Sequence, residues 1–157
     1  MATVRLRNVQ HDDLDTFFEH QLDPQARHMA AFTSADPADR GAFDRHWQRI
    51  MSTETVTIRT ALVDEEVAGY VLSYLDVGRP EVGYWFGRDF WGRGVASRAL
   101  ELFLNTMQTR PVFARAARDN LGSIRVLQKC GFVVYGTDHG FANARGEDTP
   151  ELLLRLD

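Results

Sequence analysis

The chain is 157 residues long, 44% hydrophobic and 25% charged, with a formal net charge of −4. That length suits a single domain, 1–157, with a core of its own, and the mild acidity offers no basic footprint for nucleic acid. A single cysteine, Cys130, excludes an internal disulfide and fits a reducing cytoplasm. No apolar run is long enough for a membrane-spanning helix, and Met1-Ala2-Thr3-Val4 does not open a signal peptide.

Val4, Leu6 and Val9 point to a first strand, and Asp12-Asp13 to the start of a helix over Leu14–Gln21. Asp23-Pro24 breaks that helix, and the weakly periodic stretch from Gln25 to Ala35 reads as a loop or a short helix. Asp36-Pro37 supplies an N-cap and first-turn pair for a helix carrying Phe43, Trp47 and Ile50. Val56–Val63 and Val67–Leu75 then form a hairpin around Asp64-Glu65-Glu66, and Gly78-Arg79-Pro80 turns into a strand from Glu81 to Phe86. After a long helix, Pro111–Ala117 is another strand. Asn120–Cys130 is a short helix closed by Gly131. Phe132–Tyr135 and Leu152–Leu156 complete the sheet, joined by a polar loop holding Gly136, Gly140 and Gly146.

The densest signal lies between Glu81 and Leu104. Val82, Tyr84 and Phe86 alternate with Gly83 and Trp85 at a strand's period of two. Ala96, Ala99, Leu100, Phe103, Leu104 and Met107 then recur on one face of a helix. Between them, Gly92 and Gly94 let bare backbone approach a ligand, with the free N–H groups of the helix start aimed at it. Such a junction suits a phosphate or pyrophosphate. A P-loop would end in Gly-Lys-Ser/Thr, whereas Gly94 is followed by Val95-Ala96-Ser97. A Rossmann fingerprint would come early in an alternating βαβ chain, not past its middle.

Trp91-Gly92-Arg93-Gly94-Val95-Ala96 resembles the Gln/Arg-x-x-Gly-x-Gly/Ala pyrophosphate loop of the GNAT (GCN5-related) acetyltransferases. Within that superfamily it looks most like the RimJ/RimL-like branch, the N-terminal acetyltransferases of ribosomal proteins. Asn120-Leu121-Gly122-Ser123-Ile124-Arg125-Val126-Leu127-Gln128-Lys129-Cys130-Gly131-Phe132 resembles the same branch's Asn-x-x-Ser-Ile-Arg-Val-Leu-x-Lys-x-Gly-Phe. The likeness is sharp from Glu81 to Phe132. Trp91 stands where the wider superfamily has Gln or Arg, a departure that fits this branch. The resemblance implies an α/β fold ordered β-α-α-β-β-β-α-β-α-β-β, with a mixed, mostly antiparallel sheet of six or seven strands and about four helices. It also implies acetyl-CoA as co-substrate without a metal, and transfer to a primary amine by direct attack in a ternary complex. The acceptor would be a protein N-terminus or a small amine. A homodimer is compatible with this, whereas nucleic acid and membrane are not expected partners.

In the family's arrangement, the backbone of Tyr84, Trp85 and Phe86 would pair with the pantetheine arm. The loop from Trp91 through Gly92, Arg93, Gly94, Val95, Ala96 and Ser97 would hold the pyrophosphate, and Asn120 and Ser123 would face the thiol end. Three side chains are candidates for chemistry. Glu81 would take the amine's proton directly or through water; its plain alternative is an exposed carboxylate at a strand start. Ser123 would donate to the leaving thiolate, or would simply belong to a helix start. Tyr135 would be a general acid, or a half-buried strand tyrosine. His28 falls where this fold borders its acceptor pocket, between Leu22 and Ala35. His11, His20, His46 and His139 lack partners at metal spacing. Trp85 and Trp91 read as packing beside the cofactor, and Cys130 as core. A second reading is a CoA-binding sensor domain without turnover. An oxidoreductase would rest on the Gly-x-Gly alone.

Overall fold

Alternating burial along the central strands gives the sheet two apolar faces, and each is covered by helices. In the computed structural model, which describes residues 3–157, the elements run β1 (Val4–Asn8), α1 (Asp13–Gln21), α2 (Pro24–Ala30), α3 (Arg40–Met51), β2 (Thr57–Val63), β3 (Glu66–Asp76) and β4 (Arg79–Phe86). A 3₁₀ turn at Arg88–Phe90 leads to α4 (Val95–Leu104), then β5 (Val112–Ala117), α5 (Leu121–Lys129), β6 (Val133–Ala142) and β7 (Glu147–Leu156). Met1 and Ala2 of the segment read for a signal peptide lie outside the described residues. The seven strands lie in the order β1-β2-β3-β4-β5-β7-β6, and every neighbouring pair is antiparallel except β4 and β5. The expected strand count and mixed, mostly antiparallel sheet are both present. The helices number five, because the segment after Asp23 is a helix of its own.

One face packs Val71, Val82, Phe86, Val112 and Leu154 against Leu100 and Phe103 of α4 and Leu127 of α5. Burying each of the larger of these side chains contributes about 1.5–3 kcal/mol. The other face sets Ile58, Tyr70 and Leu72 against Leu14 and Phe17 of α1 and Phe43 and Trp47 of α3. There the Trp47 indole meets the Tyr70 ring edge-on at 4.9 Å.

Several boundaries differ from the sequence reading, each for a local reason. Asp12 makes no side-chain cap. Asp13 is instead buried, at 3% exposure, and accepts hydrogen bonds from Arg7, Thr60 Oγ1 and the Gln10 amide. Asp23-Pro24 ends α1 and also starts α2, since Asp23 accepts from the Gln25 amide and Pro24 takes the first helical position. The cap of α3 is Asp39, through the Ala42 amide; Asp36-Pro37 forms the turn ahead of it. Both hairpin bends before β4 use paired positive φ values, at Asp64-Glu65 and Val77-Gly78, so Arg79 and Pro80 already belong to β4. The polar stretch after Tyr135 is no loop. It continues β6 through Gly136 and Gly140, pairs with β7 and bulges between Val134 and Gly136. Composition hid this hairpin because β6 is an edge strand, exposed along most of its length. Gly131 ends α5 as expected, at φ 98°, with the Phe132 amide returning to the Leu127 carbonyl.

Candidate active site

β4 and β5 run side by side but pair at one position only, Glu81 with Phe113. Beyond it the strands diverge. A cleft of about 1020 Å³ opens between Val82–Phe86 on one side and Ala114–Ala117 on the other. Its ends are the starts of α4 and α5, and α2 lies against it through Ala26, Met29 and Ala30. Along this gap β4 offers backbone N–H and C=O groups that no neighbouring strand takes, as an extended ligand with amides requires.

The loop into α4 is shaped by two glycines with left-handed backbone, Gly92 at φ 71° and Gly94 at φ 76°. A Cβ at either would point into open space with nothing within 4 Å. Among the described residues, no acceptor takes the six consecutive amides from Gly92 to Ser97, and the first capping bond of α4 is Arg98 N–H to the Gly94 carbonyl. Six free donors and a helix N-terminus facing a large cleft make a strong site for a diphosphate. Trp91 anchors this loop by donating its indole N–H to the Phe86 carbonyl at 3.0 Å. The Arg93 side chain turns away, lying over Phe90 and donating to the Asp89 carbonyl, and Arg93 does not line the cleft.

Asn120 holds the other end. Its Oδ1 accepts from the Ser123 amide and caps α5, while its Nδ2 donates to the Met29 carbonyl of α2. The Ser123 hydroxyl lies 2.7 Å from the Tyr84 phenol oxygen, and both residues line the cleft. The expected cofactor positions therefore converge: all except Arg93 border one cavity.

The three candidates for proton transfer do not converge. Glu81 is not the exposed carboxylate of the plain reading: it is 4% exposed and accepts from Arg115 Nε at 2.9 Å. Arg115 is also bonded to Glu151 and Asp76 and lies 3.6 Å from Asp138. Arg115, rather than Glu81, reaches the cleft wall. Burial pushes the Glu151 carboxyl above its ordinary value, only partly offset by the Arg115 guanidinium. Tyr135 is exposed on β6, outside the cleft. Its hydroxyl accepts from Arg79 Nη2 and its ring meets Phe113 edge-on, which leaves it no geometry for donating to a thiol in the gap. Sequence reasoning missed Arg115 and Glu151. The signal existed for Arg115: a lone arginine inside the apolar run Val112-Phe113-Ala114-Arg115-Ala116-Ala117.

Long-range side-chain contacts build the wall around α2. Arg145, just before Gly146, forms a two-point pair with Asp119 and donates to the His28 carbonyl. Asn143 donates to the Thr33 carbonyl. Between them Ala31 sits fully buried in a tight bend, φ 64° and ψ −59°, closed by Phe32 N–H to the Ala30 carbonyl. His28 is on this wall and His20 packs under Gly87. Burial lowers the His20 basicity. Cys130 is half-buried and its thiol faces the Ser97 carbonyl. Among the described residues, no group of three His, Cys, Asp or Glu side chains is arranged to hold a metal, and no helix is long and apolar enough to cross a membrane.

Known proteins agree with this geometry. The family described as Acetyltransferase (GNAT) domain matches residues 3–133. An uncharacterized N-acetyltransferase, p20, of Bacillus licheniformis is 22% identical over 153 residues, covering 91% of this chain and 86% of that protein. RimJ of Mycobacterium smegmatis, solved with CoA-disulfide, superposes with TM-score 0.82 at 20% identity over 98% of this chain and 81% of RimJ. Spermidine N-acetyltransferase of Vibrio cholerae, solved with CoA and spermine, gives 0.79 at 14% identity over 97% and 95%. The RimJ-like branch is thus one of several that share the fold. With its opened β4–β5 gap and amide-rich loop, this chain belongs to the GNAT acetyltransferase family.

Proposed function

We propose that the chain transfers the acetyl group of acetyl-CoA to a primary amine by direct attack in a ternary complex. The observation that carries this reading is the run of six unbonded amides from Gly92 to Ser97 at the end of a gap shaped for an extended arm. In it, the backbone of Tyr84 and the Phe86 N–H pair with the pantetheine amides. The Trp85 amide and carbonyl, expected to do the same, are turned to Tyr70 of β3, and the Phe86 carbonyl is held by the Trp91 indole. The loop holds the pyrophosphate, and Asn120 and Ser123 close on the thiol end. Ser123 supplies a hydrogen bond to the leaving sulfur. Tyr135 carries no step.

The amine's proton leaves by way of water toward the carboxylates gathered on Arg115, Glu81 among them. Direct transfer to Glu81 is disfavoured because Arg115 already occupies its carboxylate. Four carboxylates around one guanidinium, Asp76, Glu81, Asp138 and Glu151, also leave that wall negative, which suits a cationic acceptor. A peptide α-amine, with a pKa near ~8, is partly neutral at physiological pH and needs little help from a base. Cytoplasmic peptides and small amines are therefore the acceptors to try first.

The test begins with thermal stabilisation. CoA and acetyl-CoA at about 100 times their Kd should add ~2.7 kcal/mol, and NAD and ATP far less; equal shifts for all would overturn the cofactor assignment. Thiol release with peptides, amino acids and polyamines then identifies the acceptor. Stabilisation by CoA with no acetylated amine would favour the sensor reading. Once an acceptor is known, Glu81→Gln should lower kcat only a few-fold, as expected of a water relay. A directly acting base would cost ~10²–10⁴-fold.

A further inference from the structure

The phenol of Tyr84 stands behind the Ser123 hydroxyl, which the acetyltransferase reading puts at the thiol end of the cleft. Tyr84 O lies 2.7 Å from Ser123 Oγ and 3.2 Å from the Ser123 carbonyl oxygen. A serine hydroxyl has a single hydrogen, so its use depends on what the neighbouring phenol does. If the phenol donates to Oγ, the serine hydrogen remains free to point into the gap. If the phenol donates to the carbonyl instead, the serine hydrogen is spent on the phenol oxygen and nothing is left for the sulfur. Two features favour the first arrangement. The contact to Oγ is the shorter, and a carbonyl in the first turn of a helix already receives the amide four residues on.

Nothing near Tyr84 turns it into a phenolate. Burial holds the phenol well above its ordinary pKa, and the bond to Ser123 acts against this only in part. The nearby Cys130 is itself held neutral, since burial lifts its own pKa, with Glu101 adding and Lys129 opposing. The phenol therefore stays a donor throughout. The Ser123 backbone is fixed independently by the Asn120 cap. Both the position of this serine and the direction of its hydrogen are thereby set by groups outside the reacting atoms.

Resting on the acetyltransferase reading above, we infer that Tyr84 is a positioning residue: its phenol donates to Ser123 Oγ and so presents the serine hydrogen to the sulfur that leaves. The amine nitrogen forms its bond to the thioester carbon, the C–S bond breaks, and its electron pair departs on sulfur. The amine's proton goes to water on the acceptor side. Charge on the thiolate strengthens the serine hydrogen bond, and the phenol behind it strengthens it further, because hydrogen bonds in a chain polarise one another.

The experiment is a titration of the thiol of CoA bound to the full chain, read by thiolate ultraviolet absorbance against a desulfo-CoA blank. This needs no acceptor. The wild type should bind CoA with its thiol titrating about one pH unit below that of free CoA. Tyr84→Phe and Ser123→Ala should each return it most of the way, with Kd for CoA changed only a few-fold at about pH 6, where the thiol is protonated throughout, and weakened further above the thiol pKa. Tyr84→Phe/Ser123→Ala should do no more than Ser123→Ala alone. With an acceptor in hand, Tyr84→Phe should lower kcat about tenfold while KM for acetyl-CoA changes less than about twofold. A Tyr84→Phe protein that binds CoA and titrates as the wild type does would overturn the proposal, as would effects that multiply in the double variant. Failure of the wild type to bind CoA would instead overturn the acetyltransferase reading. Should Tyr84→Phe fold poorly, Ser123→Thr, which keeps the hydroxyl, should titrate like the wild type and Ser123→Ala should not; equal behaviour of these two would overturn the proposal as well.

Discussion

The two sides of the cleft are built on different terms. The side formed by β4, the Trp91–Ser97 loop and α5 is a backbone structure: its donors are main-chain amides, and its shape follows from left-handed glycines and helix starts within about fifty residues of sequence. The α2 side is held by side chains from far along the chain, Arg145 on Asp119 and His28, Asn120 on Met29, Asn143 on Thr33. A backbone site can accept a ligand common to a whole family, since it depends little on side-chain identity. A side-chain wall can change with a few substitutions, so a ligand held by it is free to vary where one held by main-chain amides is not.

The sharpest way to break that contrast is Gly94→Asp. The carboxylate would face the pyrophosphate, and an L side chain would be strained at φ 76° by about 1–2 kcal/mol. We expect CoA affinity to fall at least about 100-fold by calorimetry, with a melting temperature lowered by only a few degrees. Unchanged affinity in a folded variant would remove the loop from the anion site.

Legibility follows the same division. Gly92, Gly94 and the helix read over Asn120–Cys130 were legible because each requirement is local: a positive φ, a free amide, an apolar face. That Ser123 lines the cleft from the first turn of α5 was readable for that reason as well. The roles of Glu81 and Tyr135 were not. Whether a carboxylate is free or held depends on what strand comes alongside, and β5 brings Arg115 to Glu81 across thirty-four residues. Tyr135 follows the same rule, because β4 supplies the Arg79 that takes its hydroxyl. The α2 wall was opaque for a third reason. Asp23-Pro24 looks like an ending when read from α1, and only the turn geometry shows that it is also a beginning.

The Asp13 cluster lies apart from both sides of the cleft and gives the contrast a structural control. Burial would raise the Asp13 pKa, but Arg7, the Gln10 amide and Thr60 together hold it below the ordinary carboxylate value. Its contribution is therefore complete above that ordinary value and is lost as pH falls through the depressed folded one. Asp13→Asn should cost about 2–3 kcal/mol at neutral pH, read as the urea midpoint, and should flatten the acid side of the stability profile. CoA affinity in the folded variant should not change.

The smallest expected effect lies on the α2 side. Arg145 has a side chain only 7% exposed and ties Asp119 to the His28 carbonyl. Arg145→Ala should raise KM for the amine about tenfold and leave CoA affinity within about twofold, because the wall would loosen while the amide loop stayed intact. Equal losses of both would show that the two sides are one unit.

The bend at Ala31 gives this wall a mechanical character. A non-glycine residue at φ 64° and ψ −59° stores about 1–3 kcal/mol, and the local bonds of Ala31 N–H to Arg27 and Phe32 N–H to Ala30 are supplemented by contacts from far along the chain. The distant restraints are the Ala144 amide on the Ala31 carbonyl and Arg145 and Asn120 on the two carbonyls before α2 ends. A strained segment pinned at separate points behaves as a cocked latch rather than a hinge. The strain can drive the segment open only where those pins give way, so the position of the wall is set by Ala144, Arg145 and Asn120 rather than by α2.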